Sequence, residues 1–188
     1  GMRPRVFRNK ELIYNNEIAG RAEKHRFDAI LAEGVDDMLG WRSPNFVYAS
    51  RHAGGIKVLL KNYRLSDDVA FRFSSRDWAE WPLDAAKFAS WISEHNGSGE
   101  VVNLFMDYET FGEHQWESTG IFDFLQNLPR EVLARPDSDF KTPSEVLAAY
   151  PVRDTIDVAR HISWADVERD LSAWRSNAMQ YAALGAVY

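Results

Sequence analysis

The chain has 188 residues, of which 45% are hydrophobic and 27% are charged. This composition is typical of a globular protein, and the length suffices for one domain with a sizeable core. The formal net charge of −6 argues against nucleic acid or an anionic membrane as a partner, because binding to phosphate groups needs clustered Lys and Arg. The absence of cysteine excludes disulfides and thiolate chemistry.

The sequence shows no signal peptide and no apolar run of the length that crosses a bilayer, so we expect a cytoplasmic protein. It opens with Gly1 and Met2, which read like a tag remnant before a start codon. Aromatic residues make up 13% of the chain and include seven Trp. Such side chains build large cores and also stack on sugar rings, so the excess fits a carbohydrate-binding protein without requiring one.

The first part of the chain alternates predicted helices and strands. Apolar spacing predicts a helix over residues 11–24, and residues 27–32 predict a buried strand that ends at Glu33. Residues 47–49 and 57–61 predict two further strands. Glu33 is either a carboxylate presented by a strand end or the N-terminal acid of a short helix that follows it.

The middle of the chain continues this alternation. A helix is predicted over residues 64–71, opened near Ser66, and a second begins at the N-cap Asp84 and ends at Asn96-Gly97. Residues 101–106 are apolar and predict a strand buried on both faces. Residues 117–128 predict an amphipathic helix stopped by Pro129. The alternation predicts βαβ units and a mainly parallel sheet.

Four ionisable side chains follow the strand of residues 101–106 within eight positions: Asp107, Glu109, Glu113 and His114. Carboxylates at the C-terminal ends of parallel strands are how α/β barrels and open α/β sheets present catalytic groups. The alternatives are a polar loop whose acids are structural, or a metal site built from hard ligands. We predict no metal site, because no pair of His stands at the ligand spacing i, i+4.

The composition of the sequence changes after Arg135, where prolines recur. Thr142 and Glu145 form a predicted capping box that opens a short helix. Ser163 is predicted to open a longer helix whose apolar stripe, from Trp164 to Tyr181, packs in the core. We therefore divide the chain into a sheet-and-helix region, residues 1–135, and a helical segment, residues 136–188, that packs on it.

Four separated motifs resemble glycoside hydrolase family 57, the α-glucan-cleaving amylase and glucanotransferase family, and in particular its amylase-like branch. They are residues 7–16 (FRNKELIYNN), 30–34 (ILAEG), 107–114 (DYETFGEH) and 164–174 (WADVERDLSAW). They occur in the family's order and cover nearly the whole chain. The resemblance implies an α/β fold, a partial (β/α) barrel with mainly parallel strands and a C-terminal helical segment, with no cofactor.

The resemblance also implies the chemistry. It assigns Glu33 as the nucleophile and Asp107 as the general acid/base of a retaining glycoside hydrolase or glucanotransferase that acts on an α-glucan oligosaccharide or polysaccharide. Such a pair flanks the scissile bond with its carboxyl groups about 5–5.5 Å apart. Both acids end predicted strands, so we expect them to face one cavity.

Four further residues are candidates for contact with substrate. His114 and Trp116 are of the types that hydrogen-bond to and stack on a sugar, Glu109 is placed to orient Asp107 or a hydroxyl group, and Trp41 is a candidate platform near Glu33. Each of them has a purely structural alternative, such as a core contact or an acceptor for a backbone amide.

The chain lacks the family's His-Gln-Pro strand and the region that follows it. We therefore expect part of a larger catalytic domain, of which this chain alone has little activity. Two alternatives stay open: an inactive carbohydrate-binding remnant, and a metal-dependent polysaccharide deacetylase. A partial barrel also exposes a strand edge, so we expect either that the C-terminal helix folds over it or that the chain forms a symmetric homodimer.

Overall fold

The computed structural model describes residues 3–187, which fold around a five-stranded sheet. The strands in chain order are β1 (Val6–Arg8), β2 (Ala29–Glu33), β3 (Tyr48–Ser50), β4 (Lys57–Lys61) and β5 (Asp154–Ile156). Their order in space is β1-β2-β4-β3-β5, and every pair is parallel except β3 with β4. The predicted α/β class with a mainly parallel sheet is confirmed.

Residues 3–187 contain eight α-helices. They are α1 (Asn16–Lys24), α2 (Asp36–Leu39), α3 (Tyr63–Asp67), α4 (Ala85–Ser93), α5 (Ile121–Leu133), α6 (Pro143–Ala149), α7 (Ser172–Arg175) and α8 (Ala178–Val187). None of the helices described is long and apolar enough to cross a membrane. The core divides into three clusters, of which two cover the faces of the sheet and the third lies beneath α3, α4 and α5.

The pairing of β2 with β4 fixes the centre of the molecule. Ala29 is level with Lys57, and the register continues to Glu33 level with Lys61. Because alternate side chains of a strand point to opposite faces, Ala29 and Glu33 share a face with Leu59 and Lys61 of the neighbouring strand. The two apolar strands therefore end in Glu33 and Lys61, whose side chains are neighbours on one face of the sheet.

Several helix starts differ from prediction because asparagine side chains cap them. The predicted helix over residues 11–24 begins only at α1, where the Asn15 side chain accepts a bond of 2.9 Å from the Ile18 N–H. Glu11 and Leu12 have positive φ angles and lie in a separate short turn, so the helix cannot continue through them. Likewise Asn62, rather than Ser66, caps the helix that follows β4.

Residues 101–106 do not form the buried strand that was predicted. They run extended beside the C-terminal end of β4, but all six are only half-buried and no strand ladder forms. A single backbone bond joins them to this region, from the Asn62 N–H to the Asn103 carbonyl at 2.9 Å. An apolar run predicts an extended segment, whereas a ladder needs a neighbouring strand along its whole length.

Helix α5 passes through Pro129, which was predicted to stop it. The proline removes one backbone N–H, at a cost of about 3 kcal/mol in a helix interior. Its ring is exposed, whereas Ile121 and Phe124 before it and Val132 after it in the sequence are buried. Burial of that apolar face keeps the helix continuous.

The long helix predicted from Ser163 is absent. Residues 157–171 carry no helix, and only α7 and α8 follow, in which no residue is buried. The Ser163 hydroxyl donates to the Glu11 carbonyl at 2.8 Å and accepts from the Ala165 N–H, which ties this segment to the start of the chain instead. The expected core stripe is therefore wrong, and α8 does not fold over the sheet. Strand β5, which pairs with β3, was not predicted.

The capping of α4 gives a direct test of one local prediction. The Asp84 carboxylate accepts from the Lys87 N–H at 2.8 Å, as the sequence predicts. Asp84→Ala should lower the free energy of unfolding by about 1 kcal/mol, because an N–H at the helix start loses its partner. Asp84→Asn is the control and should change it by much less in urea titration. Equal losses from both substitutions would show that the cap contributes nothing.

Candidate active site

Glu33, at the end of β2, is fully buried and its carboxylate is saturated with donors. Oε1 accepts from the Gly34 N–H at 2.9 Å. Oε2 accepts from Lys61 Nζ at 3.4 Å and from Arg169 Nη1 at 2.9 Å. An ionised carboxylate in the protein interior requires such partners, since an isolated charge there would be strongly destabilising.

Asp67, the last residue of α3, accepts from the same two cations. Lys61 Nζ lies 3.3 Å from its Oδ1, and Arg169 Nη2 lies 2.8 Å from its Oδ2. Arg169 thus bridges Glu33 and Asp67 with its two terminal nitrogens, a geometry that the planar guanidinium provides and an ammonium does not. We call Glu33, Lys61, Asp67 and Arg169 the charge quartet. Its formal charges sum to zero, which suits its buried position.

Burial raises the pKa of the Glu33 carboxyl. The positive charges of Lys61 and Arg169 and the Gly34 N–H act in the opposite direction and limit the rise. The negative charge of Asp67 adds to it. The ionisation of Glu33 therefore depends on the two cations staying in place.

Gly34 makes the side-by-side arrangement of the strand ends possible. A Cβ at this position would lie 2.3 Å from the Lys61 carbonyl oxygen, closer than any side chain can approach. Any other residue would push the end of β2 away from the end of β4. The close approach of these backbones brings Lys61 to Glu33.

The irregular segment of residues 163–171 carries Arg169 into the site. Arg169 has a φ of 53°, a left-handed conformation that is unfavourable for a residue with a side chain. Its guanidinium lies 4.7 Å from the ring centroid of Tyr63. Trp164 anchors the same segment, because its indole N–H donates to Glu11 at 2.9 Å and its ring lies 5.0 Å from Lys61 Nζ.

Asp107 lies on the other side of Lys61 and Asp67 and is exposed. It lines a cavity of about 110 Å³ together with residues from four parts of the chain. The other lining residues are Glu11, Lys61, Asp67, Ala70, Phe71, Phe105, Met106, Thr110, His114, Trp164 and Ala165. Glu33 does not line this cavity. It forms an ion pair with Lys61, which does line the cavity.

Of the four candidate substrate contacts only His114 lines this cavity, and none of the four hydrogen-bonds to Glu33 in the part of the chain described. His114 lines the cavity, while Glu109 is exposed and its carbonyl accepts from the His114 N–H at 3.0 Å. Trp116 is 67% exposed and Trp41, just after α2, is 94% exposed. Among residues 3–187 no group of three or more His, Asp or Glu is arranged to hold a metal ion.

Three residues of the charge quartet, Lys61, Asp67 and Arg169, were missed from the sequence. Lys61 carried a signal, since a lysine that ends an apolar strand beside another strand ending in an acid is a candidate buried pair. Arg169 carried none, because the segment around it was predicted as a helix whose charged residues face solvent.

Comparison with known proteins agrees with the fold and with the motifs. The model of glycosyl hydrolase family 57 matches residues 1–159, so the chain belongs to this family. A protein of Methanocaldococcus jannaschii named "Putative alpha-amylase" is 52% identical over 182 residues. That match covers 96% of this chain but 38% of the relative, so the chain spans well under half the length of that protein.

Two solved structures share the fold at low sequence identity. The 4-alpha-glucanotransferase of Thermococcus litoralis matches with a TM-score of 0.62 and 16% identity, over 82% of this chain and 24% of that one. An exo-type maltose-forming amylase of Pyrococcus sp. ST04 matches with a TM-score of 0.63 and 14% identity, over 90% and 31%. The chain thus adopts part of the fold of these longer proteins.

The charge quartet leads to a stability prediction. Arg169→Ala leaves the two buried carboxylates with Lys61 alone and should lower the free energy of unfolding by about 3 kcal/mol, measured by urea titration. The control is Arg21→Ala, which removes an ion pair to Glu17 on the surface of α1 in which both side chains are largely exposed. That variant should lose less than about 1 kcal/mol.

The loss in Arg169→Ala should depend on pH. Without the guanidinium the pKa of Glu33 rises further above its unfolded value of 4.5. An acid whose folded-state pKa is raised loses stability as pH rises from its unfolded pKa through its folded pKa. The gap between variant and wild type should therefore widen from acid to neutral pH. A gap that stays constant would mean that Arg169 acts by packing rather than by charge.

Proposed function

We propose that the protein is a retaining α-glucan hydrolase or glucanotransferase in which Glu33 is the nucleophile and Asp107 the general acid/base. The observation that carries the proposal is the position of the two acids. Glu33 ends β2, Asp107 follows the extended segment beside β4, and Lys61 both bonds to Glu33 and lines the cavity that Asp107 lines. Family membership and the amylase named among the relatives support the same chemistry.

The donors around Glu33 suit the role of a nucleophile that must also leave. Attack on the anomeric carbon forms an ester and neutralises the carboxylate, and hydrolysis of that ester restores the charge. Lys61 and Arg169 both bond to Oε2, which leaves Oε1, held by a single N–H, as the oxygen that attacks. Lys61, which bonds to Oε2, stabilises the carboxylate as it leaves.

Access to Glu33 requires that Arg169 withdraw from it. Arg169 lies in an irregular segment and has a side chain that is 18% exposed, whereas Glu33 is fully covered. A sugar that enters the cavity beside Asp107 meets Lys61 and Asp67 first. His114, which lines this cavity, and Glu109, Trp116 and Trp41 are our candidates for contact with the glucan.

The substitutions Glu33→Gln and Asp107→Asn test these roles on maltooligosaccharides. We expect the first to reduce turnover by at least about a thousandfold and the second by at least about a hundredfold. Glu113→Gln is the matched control, since Glu113 is an exposed acid of the same loop and does not line the cavity. Full activity in Glu33→Gln with an intact fold would disprove the assignment.

Azide distinguishes the two roles from one another. With α-maltosyl fluoride, Glu33→Ala should yield the β-glycosyl azide, because azide takes the place of the missing nucleophile on the opposite face of the sugar. Asp107→Ala should yield the α-glycosyl azide, because azide attacks the glycosyl-enzyme that Glu33 still forms. Nuclear magnetic resonance of the products reads the anomeric configuration, and the reverse pattern would exchange the assignments.

The burial of Glu33 favours a second candidate function, a glucan-binding protein without turnover. Such a protein would be retarded by amylopectin in an affinity gel, while maltooligosaccharides stay unchanged with both the wild type and Arg169→Ala. Product formation by either protein would exclude this candidate. The metal-dependent deacetylase that was also considered has no cluster of ligands to support it among residues 3–187.

We also propose that the chain forms a symmetric homodimer through α8. This helix carries no charged residue, and Tyr181, Leu184 and Val187, which share one face at a spacing of three residues, are 52%, 37% and 78% exposed. A twofold contact buries such a patch on both copies at once. A cytoplasmic location is likewise our proposal.

Light scattering tests the dimer. The wild type should have the mass of two chains, and the double variant Leu184→Glu, Val187→Glu should have the mass of one, with an unchanged far-ultraviolet circular dichroism spectrum. Leu133→Glu is the control, because Leu133 is an exposed leucine at the end of another helix. A wild-type monomer at micromolar concentration would refute the proposal.

A further inference from the structure

The cavity that Asp107 lines contains two polar side chains to which the proposed function gives no role. Among its charged lining residues, Lys61 and Asp67 are already occupied within the charge quartet. Glu11 and Thr110 line the same cavity and belong neither to the quartet nor to the proposed catalytic pair. Their hydrogen bonds indicate which chemical groups they are free to bind.

Thr110 is buried and its hydroxyl group lacks a partner. The residue is 1% exposed, and within residues 3–187 its Oγ1 makes no hydrogen bond. Its backbone is fixed, since the Thr110 N–H donates to the Asp107 carbonyl at 3.1 Å and the Thr110 carbonyl accepts from the Gln115 N–H at 3.0 Å. Leaving a buried hydroxyl unpaired is destabilising, so a hydroxyl that lines a cavity is a natural partner for a polar ligand.

Glu11 is held at the cavity by three hydrogen bonds from the C-terminal segment. Its Oε2 accepts from the Trp164 indole N–H at 2.9 Å. Its carbonyl accepts from the Ser163 hydroxyl at 2.8 Å and from the Trp164 backbone N–H at 3.2 Å. These bonds maintain Glu11 at a φ of 52°, a left-handed conformation that a residue with a side chain adopts only when its surroundings enforce it.

The second carboxylate oxygen of Glu11 is free to accept from a ligand. The cation paired with it is Lys10, whose Nζ lies 3.8 Å from Oε1 and whose side chain is 88% exposed. Solvent screens such a pair strongly, so it takes up little of the capacity of this oxygen. Glu11 thus offers an acceptor to the cavity, and Thr110 offers a group that can donate or accept.

The charges that line the cavity restrict the class of ligand. Glu11, Asp67 and Asp107 are acids, and Lys61 is already paired with Glu33 and Asp67, so the cavity disfavours an anion. Among residues 3–187 no group of three or more His, Asp or Glu is arranged to hold a metal ion. A neutral molecule with several hydroxyl groups fits these conditions, because each hydroxyl can donate to a carboxylate and also accept.

We propose that Glu11 and Thr110 bind two hydroxyl groups of the sugar residue that lies beside Asp107, and so contribute to substrate specificity. Oε1 of Glu11 accepts from one sugar hydroxyl, and the Thr110 hydroxyl bonds to another. A site that hydrogen-bonds a hydroxyl group rejects the analogue that lacks it, since its own polar group is then left unpaired. This inference rests on the proposed function and adds to it two residues that contact substrate.

Thr110→Val tests the hydroxyl, because valine has nearly the same shape and no polar group. The probe is maltotetraose with sulfur in its glycosidic linkages, which resists cleavage, and its binding is measured by isothermal titration calorimetry. We expect affinity to fall at least about fivefold while stability in urea is unchanged or higher, whereas the loss of a structural hydroxyl would lower stability. Thr110→Ser should restore the affinity. Thr119→Val is the matched control, because the Thr119 hydroxyl donates to the Trp116 carbonyl and Thr119 does not line the cavity.

Glu11→Gln tests the carboxylate in the same titration. The amide oxygen of glutamine can still accept from the Trp164 indole, so the fold should be retained while the charge that faces the ligand is lost. We expect affinity to fall at least about fivefold, because hydrogen bonds to charged groups are stronger than those between neutral groups. Glu113→Gln, at an exposed acid outside the cavity, should leave the affinity unchanged.

Deoxygenated sugars identify the hydroxyl groups concerned. The probes are methyl α-maltoside and derivatives in which one hydroxyl group is replaced by hydrogen. At least one derivative should bind to the wild type about tenfold more weakly than the parent sugar. Thr110→Val should bind this derivative and the parent with equal affinity, because the group that distinguished them is gone, and Glu11→Gln should do so for a second derivative.

The outcomes separate this inference from the proposed function. Unchanged affinity in both Glu11→Gln and Thr110→Val, with turnover that depends on Glu33 and Asp107, would overturn the inference alone. Weaker binding in these two variants, with full activity in Glu33→Gln, would overturn the proposed catalytic pair and leave the binding site intact. The absence of glucan binding by the unmodified protein, or failure of Thr110→Ser to restore it, would also overturn the inference.

Discussion

The structure depends on the burial of two carboxylates with two cations at the ends of neighbouring strands. Glu33 is fully buried, and such a group is stable as an anion only when every lone pair has a donor nearby. Lys61 arrives because β2 and β4 are parallel and in register. Arg169 arrives from more than a hundred residues further along the chain and closes the charge quartet.

This requirement explains the shape of the C-terminal region. A helix through residues 163–171 would direct Arg169 and Trp164 according to the helical period, not toward Glu33 and Glu11. The observed path instead has a left-handed residue at Arg169 and a serine hydroxyl that bonds to the Glu11 carbonyl. A helix through this segment would remove Arg169 from the two buried carboxylates, and leaving buried charges without their partner is strongly destabilising.

The sequence was informative where local chemistry decides the structure. The strand ending in Glu33, residues 57–61 and the capping box at Thr142 follow from apolar runs and cap residues, and all three were predicted. It was uninformative where a distant partner decides. The ladder expected for residues 101–106 needs a strand on each side, and the path of residues 163–171 is set by Glu33 and Glu11. Neither partner can be identified from the local pattern.

The two carboxylates of the proposed catalytic pair are constrained to very different degrees. Glu33 is fixed by three donors within a buried strand pair. Asp107 is exposed and follows a segment that bonds along only one edge. Paired carboxylates act on a glycosidic bond only at a defined separation, so the precision of the site is limited by the less constrained member.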